Sequence, residues 1–184
     1  MKASSPFEFK IATEDWEFEL VHRLNYKTFV QEIPQHEPRE APRLVDKFHA
    51  ENTYVLCLSG RDLAGMVAVR GNRPFSLDQK LPNLESYLPP GHTICEIRLL
   101  AVEKNFRLGP VFQGLLGFVG EHCKRQGYNM AIISGTTRQQ KLYKHIGFVP
   151  FGPLVGTPEA MFQPMYLTLE AFDKNTRELF GASV

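Results

Sequence analysis

The sequence predicts a single α/β domain in which one mixed sheet is flanked by helices. Three observations predict it. Segments of period two and period 3.6 succeed one another in the order β-α-β-β-β-α-β-α-β-β. No internal repeat or linker divides the chain, so residues 1–184 read as one domain, with 170–184 suited to a connector or tail. At 184 residues, 43% of them hydrophobic, the chain is long and apolar enough to bury one real core.

Phe7-Glu8-Phe9-Lys10-Ile11 alternates apolar and polar residues, as a half-buried strand does. Thr13 is placed to cap a following helix, with Glu14 and Asp15 at its positive end. Apolar residues at helical spacing carry that helix from Trp16 to about Ile33, and the proline-rich stretch Pro34 to Pro42 ends it. Thr53 to Ser59 and Leu63 to Arg70 read as a hairpin turning at Gly60-Arg61-Asp62. The span from Gly71 to Gly91 holds four prolines and little periodicity, which predicts an irregular excursion.

Ile94 to Val102 is a further strand, apolar except for Glu96 and Arg98. A helix follows with the face Val111, Leu115, Phe118, Val119 and His122, ending near Gly127. Met130 to Ser134 reads as a buried strand, and Thr137 to His145 as a helix closed by Gly147. Phe148 to Phe151 and Met165 to Leu169 read as strands, with a helical or frayed tail from Glu170.

The formal net charge of +1 argues against nucleic acid or an acidic membrane surface as partner. Cys57, Cys95 and Cys123 are far apart and each sits in an apolar run. Buried free thiols in a reducing cytoplasm are therefore expected, and no Cys/His spacing suggests a metal. No run approaches the ~20 apolar residues of a membrane span.

The sharpest local signal is Leu142-Tyr143-Lys144-His145-Ile146-Gly147-Phe148-Val149. It closely resembles the helix-to-strand signature of the GNAT acyltransferases. The resemblance implies the GNAT (acyl-CoA N-acyltransferase) fold, a mixed, mostly antiparallel, twisted sheet flanked by helices. It also implies that Tyr143 faces a thioester sulfur. Acyl transfer expels a thiolate, and a phenol donating a proton or hydrogen bond makes that a better leaving group.

The strand–loop–helix unit from Ile94 to Gly127 is the second signal. A helix N-terminus presents free N–H groups suited to a pyrophosphate. The family's turn carries an arginine and two glycines; aligned on Arg107, this chain reads Arg107-Leu108-Gly109-Pro110-Val111-Phe112. Both glycines are replaced, by Pro110, which lacks an N–H, and by Phe112, which crowds the backbone. The resemblance implies cofactor contacts at Arg107, Leu108, Gly109, Pro110, Val111 and Thr136, and a pantetheine arm pairing like an extra strand with Leu100, Ala101 and Val102. The altered turn opens a second donor beside acyl-CoA or acetyl-CoA: an acyl carrier protein, which offers only a phosphopantetheine. Arg107 reads equally as a solvated charge.

Third, Glu96-Ile97-Arg98-Leu99-Leu100 places Glu96, Arg98 and Leu100 on one strand face, where buried charges are costly unless paired or used. The string looks like the Glu-x-x-Arg strand of the GNAT branch that makes N-acyl amino acids and acyl-homoserine lactones, one residue short. The helix Arg23 to Glu32, with Phe29, the string Asp46-Lys47-Phe48-His49, and Arg70 echo the same branch in order. The resemblance implies Phe29, Arg70 and Arg98 as acceptor-binding residues, the arginines holding a carboxylate by paired N–H bonds. Glu96 is the candidate catalytic base, directly or through water; the other reading is a structural ion pair with Arg98 or Arg70.

The expected function is transfer of an acyl group from a pantetheine thioester to a small amine such as an amino acid. The alternatives are an acetyl-CoA-dependent acetyltransferase of a small amine or protein, and a thioester-sensing module without turnover. Lys and Arg at 124–125 and 138–144 line the expected donor side, or form a solvated helix face.

Overall fold

The computed structural model describes residues 6–107 and 109–180. Its elements are β1 (Glu8–Ile11), α1 (Asp15–Tyr26), β2 (Thr53–Ser59), β3 (Asp62–Arg70), β4 (Ile94–Val102), α2 (Pro110–Gln126), β5 (Met130–Thr136), α3 (Gln140–Ile146), β6 (Val149–Pro150), β7 (Val155–Thr157), β8 (Ala160–Thr168) and α4 (Leu169–Phe180). They form two compact units: one from the chain up to Val69 with Leu99–Val119, the other from Arg70–Arg98 and the chain from Gly120 on.

In the first unit β1, β2 and β3 pair antiparallel in chain order, with Phe9 opposite Cys57 and Val55 opposite Val67. β2 and β3 bury nearly every residue, because apolar side chains occupy both faces. α1 places Val21 and Leu24 in this core, and its last turns, Lys27–Glu32, widen to π-helical geometry that buries Phe29 and Val30. Gly114 lets α2 approach β1 closely, since a Cβ there would stand 2.0 Å from the Phe9 ring.

One expectation for α1 needs correction. Thr13 does not cap the helix: its own N–H, and that of Glu14, donate to Glu17 Oε2 at 2.8 and 3.0 Å. Glu17 is fully buried and bridges Lys10 on β1 at 2.5 Å. Glu14 is the N-cap instead, and Glu17, at the third helical position, completes a capping box by accepting the N-cap's N–H.

Buried among these elements, His22 on α1 is 4% exposed, and its ring meets that of His49 at 4.7 Å. Burial, with His49 and Arg43 adding to it, holds the imidazole below its usual pKa. The unfolded chain therefore binds this proton more readily than the folded one. Stability is full above the unfolded value of about 6.5 and is lost as pH falls from there through the folded value. Melting temperatures between pH 7 and 5 should fall, and His22→Gln should flatten that slope.

In the second unit β4 runs parallel to β5, from Ile94 opposite Met130 to Glu96 opposite Ile132. β5 pairs antiparallel with β8 along its whole length, and β6 and β7 both pair antiparallel with β8. β7, absent from the sequence reading, is three residues with two glycine or threonine positions and no apolar alternation to reveal it.

The excursion after Gly71 is more ordered than its prolines suggest. It contains two 3₁₀ turns, Leu77–Gln79 and Leu84–Tyr87. Its Phe75, Leu77, Leu81, Leu84 and Leu88 are buried with Met130, Ile132, Phe151 and Phe162 as this unit's core. α4 is docked, not frayed: Asn175 donates to the Ile146 carbonyl at 3.0 Å, and Asp173 bridges Lys124 at 2.9 Å. Residues 181–184 of the expected tail lie outside the described residues. Among the described residues, no helix is long and apolar enough to cross a membrane.

Candidate active site

The second unit gathers Arg70, Glu96 and Arg98. Glu96 is 0% exposed, and its carboxylate is ringed by donors. Oε1 accepts from Ser76 Oγ at 2.5 Å and from the Leu77 N–H at 3.1 Å; Oε2 accepts from the Ser76 N–H at 2.8 Å. Arg98 Nε stands 3.5 Å from Oε2. Arg70, 1% exposed, donates from Nε to the Pro74 carbonyl at 2.9 Å. The Arg98 side chain keeps 11% of its surface, so it is the more accessible of the two arginines. The entry to the excursion's first turn is thus tied to strand residues that the sequence had singled out.

Ser76 was not anticipated. Its only sequence signal is indirect: Leu77, Leu81, Leu84 and Leu88 recur at helical intervals, which would have marked the segment as packed. Beyond Arg98 the strand departs from regular alternation. Leu99 has φ 54, a left-handed value rare for a branched residue and the mark of a local bulge. The period-two rule that put Leu100 on the face of Glu96 and Arg98 is therefore interrupted.

Tyr143 lies on α3, which stops at Gly147 with φ 113. Its ring packs edge-on to Phe148, centroids 6.2 Å apart. It also lies so close to β5 that a Cβ on Gly135 would stand 2.9 Å from it. Burial pushes the phenol above the usual tyrosine range, a shift that the neighbouring Thr136 hydroxyl offsets only in part. At neutral pH the group is therefore a protonated donor. Thr136 ends β5 beside it.

α3 also carries charge. No Asp or Glu occurs between Glu121 and Glu159, while Lys124, Arg125, Arg138, Lys141 and Lys144 do. Lys124 is used internally, bridging Glu121 and Asp173 at 2.9 Å each. Arg138, Lys141 and Lys144 are exposed and make no ion pair with any described residue, and Lys141, Lys144 and His145 share one helical face.

The remaining expected residues lie in the first unit. Phe29 is 8% exposed within its core. Ala101 is buried, and Leu100 and Val102 are half-buried. Arg107 donates from Nε to the Val102 carbonyl at 2.9 Å and bridges Glu32, so its charge is already answered. Gly109 has φ 134, Pro110 opens α2 and Val111 is buried. Leu108 lies outside the described residues. Among those described, no group of three His, Cys, Asp or Glu could hold a metal.

Solved structures that superpose on this chain include synthases of acyl-homoserine lactones and of N-acyl amino acids. The acyl-homoserine lactone synthase LasI superposes with a TM-score of 0.78 at 16% identity, covering 97% of this chain and 96% of that one. The CoA-dependent acyl-homoserine lactone synthase MesI gives 0.74 at 21%, covering 96% and 97%. FeeM, an N-acyl amino acid synthase from uncultured soil microbes, gives 0.72 at 14%, covering 92% and 94%. At these identities the likeness establishes the fold, that of the GNAT acyltransferases. No curated protein matches the sequence.

The sequence itself goes further, because residues 20–169 match the profile of the family described as N-acyl amino acid synthase FeeM. The chain belongs to that family. It is a GNAT-type N-acyltransferase, moving an acyl group from a pantetheine thioester to the amine of a small molecule. The reading as a sensing module without turnover is set aside.

Proposed function

We propose that the donor is an acyl carrier protein and the acceptor an α-amino acid held by its carboxylate at Arg98. The observation that carries the donor is the charge of α3: Arg138, Lys141 and Lys144 are exposed, without an acidic partner among the described residues, on the turn and helix that bear Tyr143. An acidic carrier protein complements such a face. The turn before α2 offers little to a CoA pyrophosphate, since Pro110 lacks an N–H and Arg107 is engaged by Glu32. The three free thiols suit a reducing cytoplasm.

In this reading the acceptor amine meets the donor's thioester at the residues of the second unit. The amine nitrogen attacks the thioester carbonyl carbon, the C–S bond breaks, and the sulfur takes its electron pair. Tyr143 donates its hydrogen bond or proton to that sulfur, and the proton leaving the amine passes to water. Of the two arginines, Arg98 is accessible to a fork-on-fork contact with a carboxylate; Arg70, spent on Pro74, braces the site.

The test compares the same acyl chain on a carrier protein and on CoA, with pooled amino acids as acceptors and thiol release as readout. A kcat/KM at least tenfold higher for the carrier-bound donor supports the proposal. Equal or higher kcat/KM with CoA would make CoA the donor and leave α3 to an adenosine phosphate.

A further inference from the structure

We infer that Ser76 is a positioning residue of the acyl-transfer reaction, and that Glu96 works through it as a mooring for Arg98 and not as the proton acceptor. A carboxylate has about four lone-pair directions. In Glu96 three directions are filled by hydrogen bonds, from Ser76 Oγ and the Leu77 N–H at Oε1 and from the Ser76 N–H at Oε2, and Oε2 also forms an ion pair with Arg98 Nε at 3.5 Å. The group is 0% exposed, and Ser76 is 7% exposed. A base must reach the acceptor's proton within about 2.6–3.2 Å or through one water. Fully buried, with its remaining direction turned to the Arg98 guanidinium, Glu96 presents no open oxygen to either.

The same contacts have a different use. Ser76 grips both oxygens, one through its hydroxyl and one through its N–H, and so fixes the rotation of the carboxylate. That rotation aims Oε2 at Arg98 Nε. Three N–H or O–H groups at the start of the 3₁₀ turn Leu77–Gln79 converge on one buried anion, and Arg70 holds the adjacent Pro74 carbonyl. The turn and Arg98 are thereby set by one carboxylate. This role rests on the proposal that Arg98 holds the acceptor's carboxylate.

Ser76→Ala removes the hydroxyl donor and keeps both N–H donors. KM for the amino acid should rise about tenfold, the loss of one hydrogen bond to a charged group. We expect kcat within about twofold, the acid limb of the kcat/KM profile unmoved, and Ser76→Thr near wild type. An acid limb displaced in Ser76→Ala with KM unchanged would make Glu96 the titrating base and overturn the inference.

Hydrogen exchange at residues 74–79 needs no turnover. In Ser76→Ala and in Glu96→Gln it should quicken at least tenfold while β5 and β8 keep their protection. Unchanged exchange would overturn the mooring. If wild-type protein acylates no amino acid, the proposed acceptor fails, and exchange still decides the mooring.

Discussion

Tyr143→Phe is expected to lower kcat at least tenfold, with KM for both substrates within about threefold. The ring is held by packing, wedged beside Gly135 and edge-on to Phe148, and phenylalanine keeps all of that. Only the hydroxyl is lost, and with it the donor proposed for the leaving thiolate. General acid assistance contributes a factor of about 10²–10⁴ to such steps, so the loss falls on the rate and not on binding. Stability should change by no more than ~1 kcal/mol, the net worth of one hydrogen bond. Because burial holds the phenol above its usual range, the wild-type rate should show no Tyr143 deprotonation limb below about pH 10. A Tyr143→Phe enzyme with near-normal kcat would remove Tyr143 from the mechanism.

Reversing Arg138, Lys141 and Lys144 to glutamate should cut kcat/KM for a carrier-bound donor about a hundredfold. The three side chains are exposed and make no ion pair with any described residue, so the substitution leaves the fold untouched while turning attraction into repulsion. Long-range steering of this kind raises on-rates by about 10–10³ and is screened by salt. Wild-type kcat/KM should therefore fall between 50 and 500 mM salt (about a threefold drop in Debye length), and the variant's should not. With a short acyl-pantetheine thioester the variant's loss should be several-fold at most, since that donor has no protein surface to dock. A variant that handles the carrier-bound donor as well as wild type would mean α3 is a solvated helix face.

Which features were legible in the sequence follows from how local their causes are. Tyr143 and Gly147-Phe148 form one helix-to-strand turn, and their meaning is contained in eight consecutive residues. β4 showed its bounds and its two anomalous charges because a carboxylate and a guanidinium stand out in an apolar run. What the charges do was not legible. Ser76 and Leu77 reach Glu96 from twenty and nineteen residues upstream, and no period relates them. Arg107 looked equally like a phosphate ligand and a surface charge, because Glu32, its partner, is 75 residues away.

The bulge at Leu99 escaped for another reason. Nothing in Arg98-Leu99-Leu100 forbids regular alternation, and a leucine at φ 54 is held there by its surroundings. The prolines of the excursion drew attention to what cannot be regular. They hid four leucines that supply a large part of one unit's core.

The central claim is amide formation from a pantetheine thioester, and the most direct measurement is the mass of the product. Purified protein is incubated with an acyl carrier protein loaded with an isotope-labelled acyl chain and with pooled amino acids. Thiol release should be matched one for one by labelled N-acyl amino acid, and the release should depend on the acceptor. Thiol release at the same rate without amino acids, yielding free labelled fatty acid, would contradict the account.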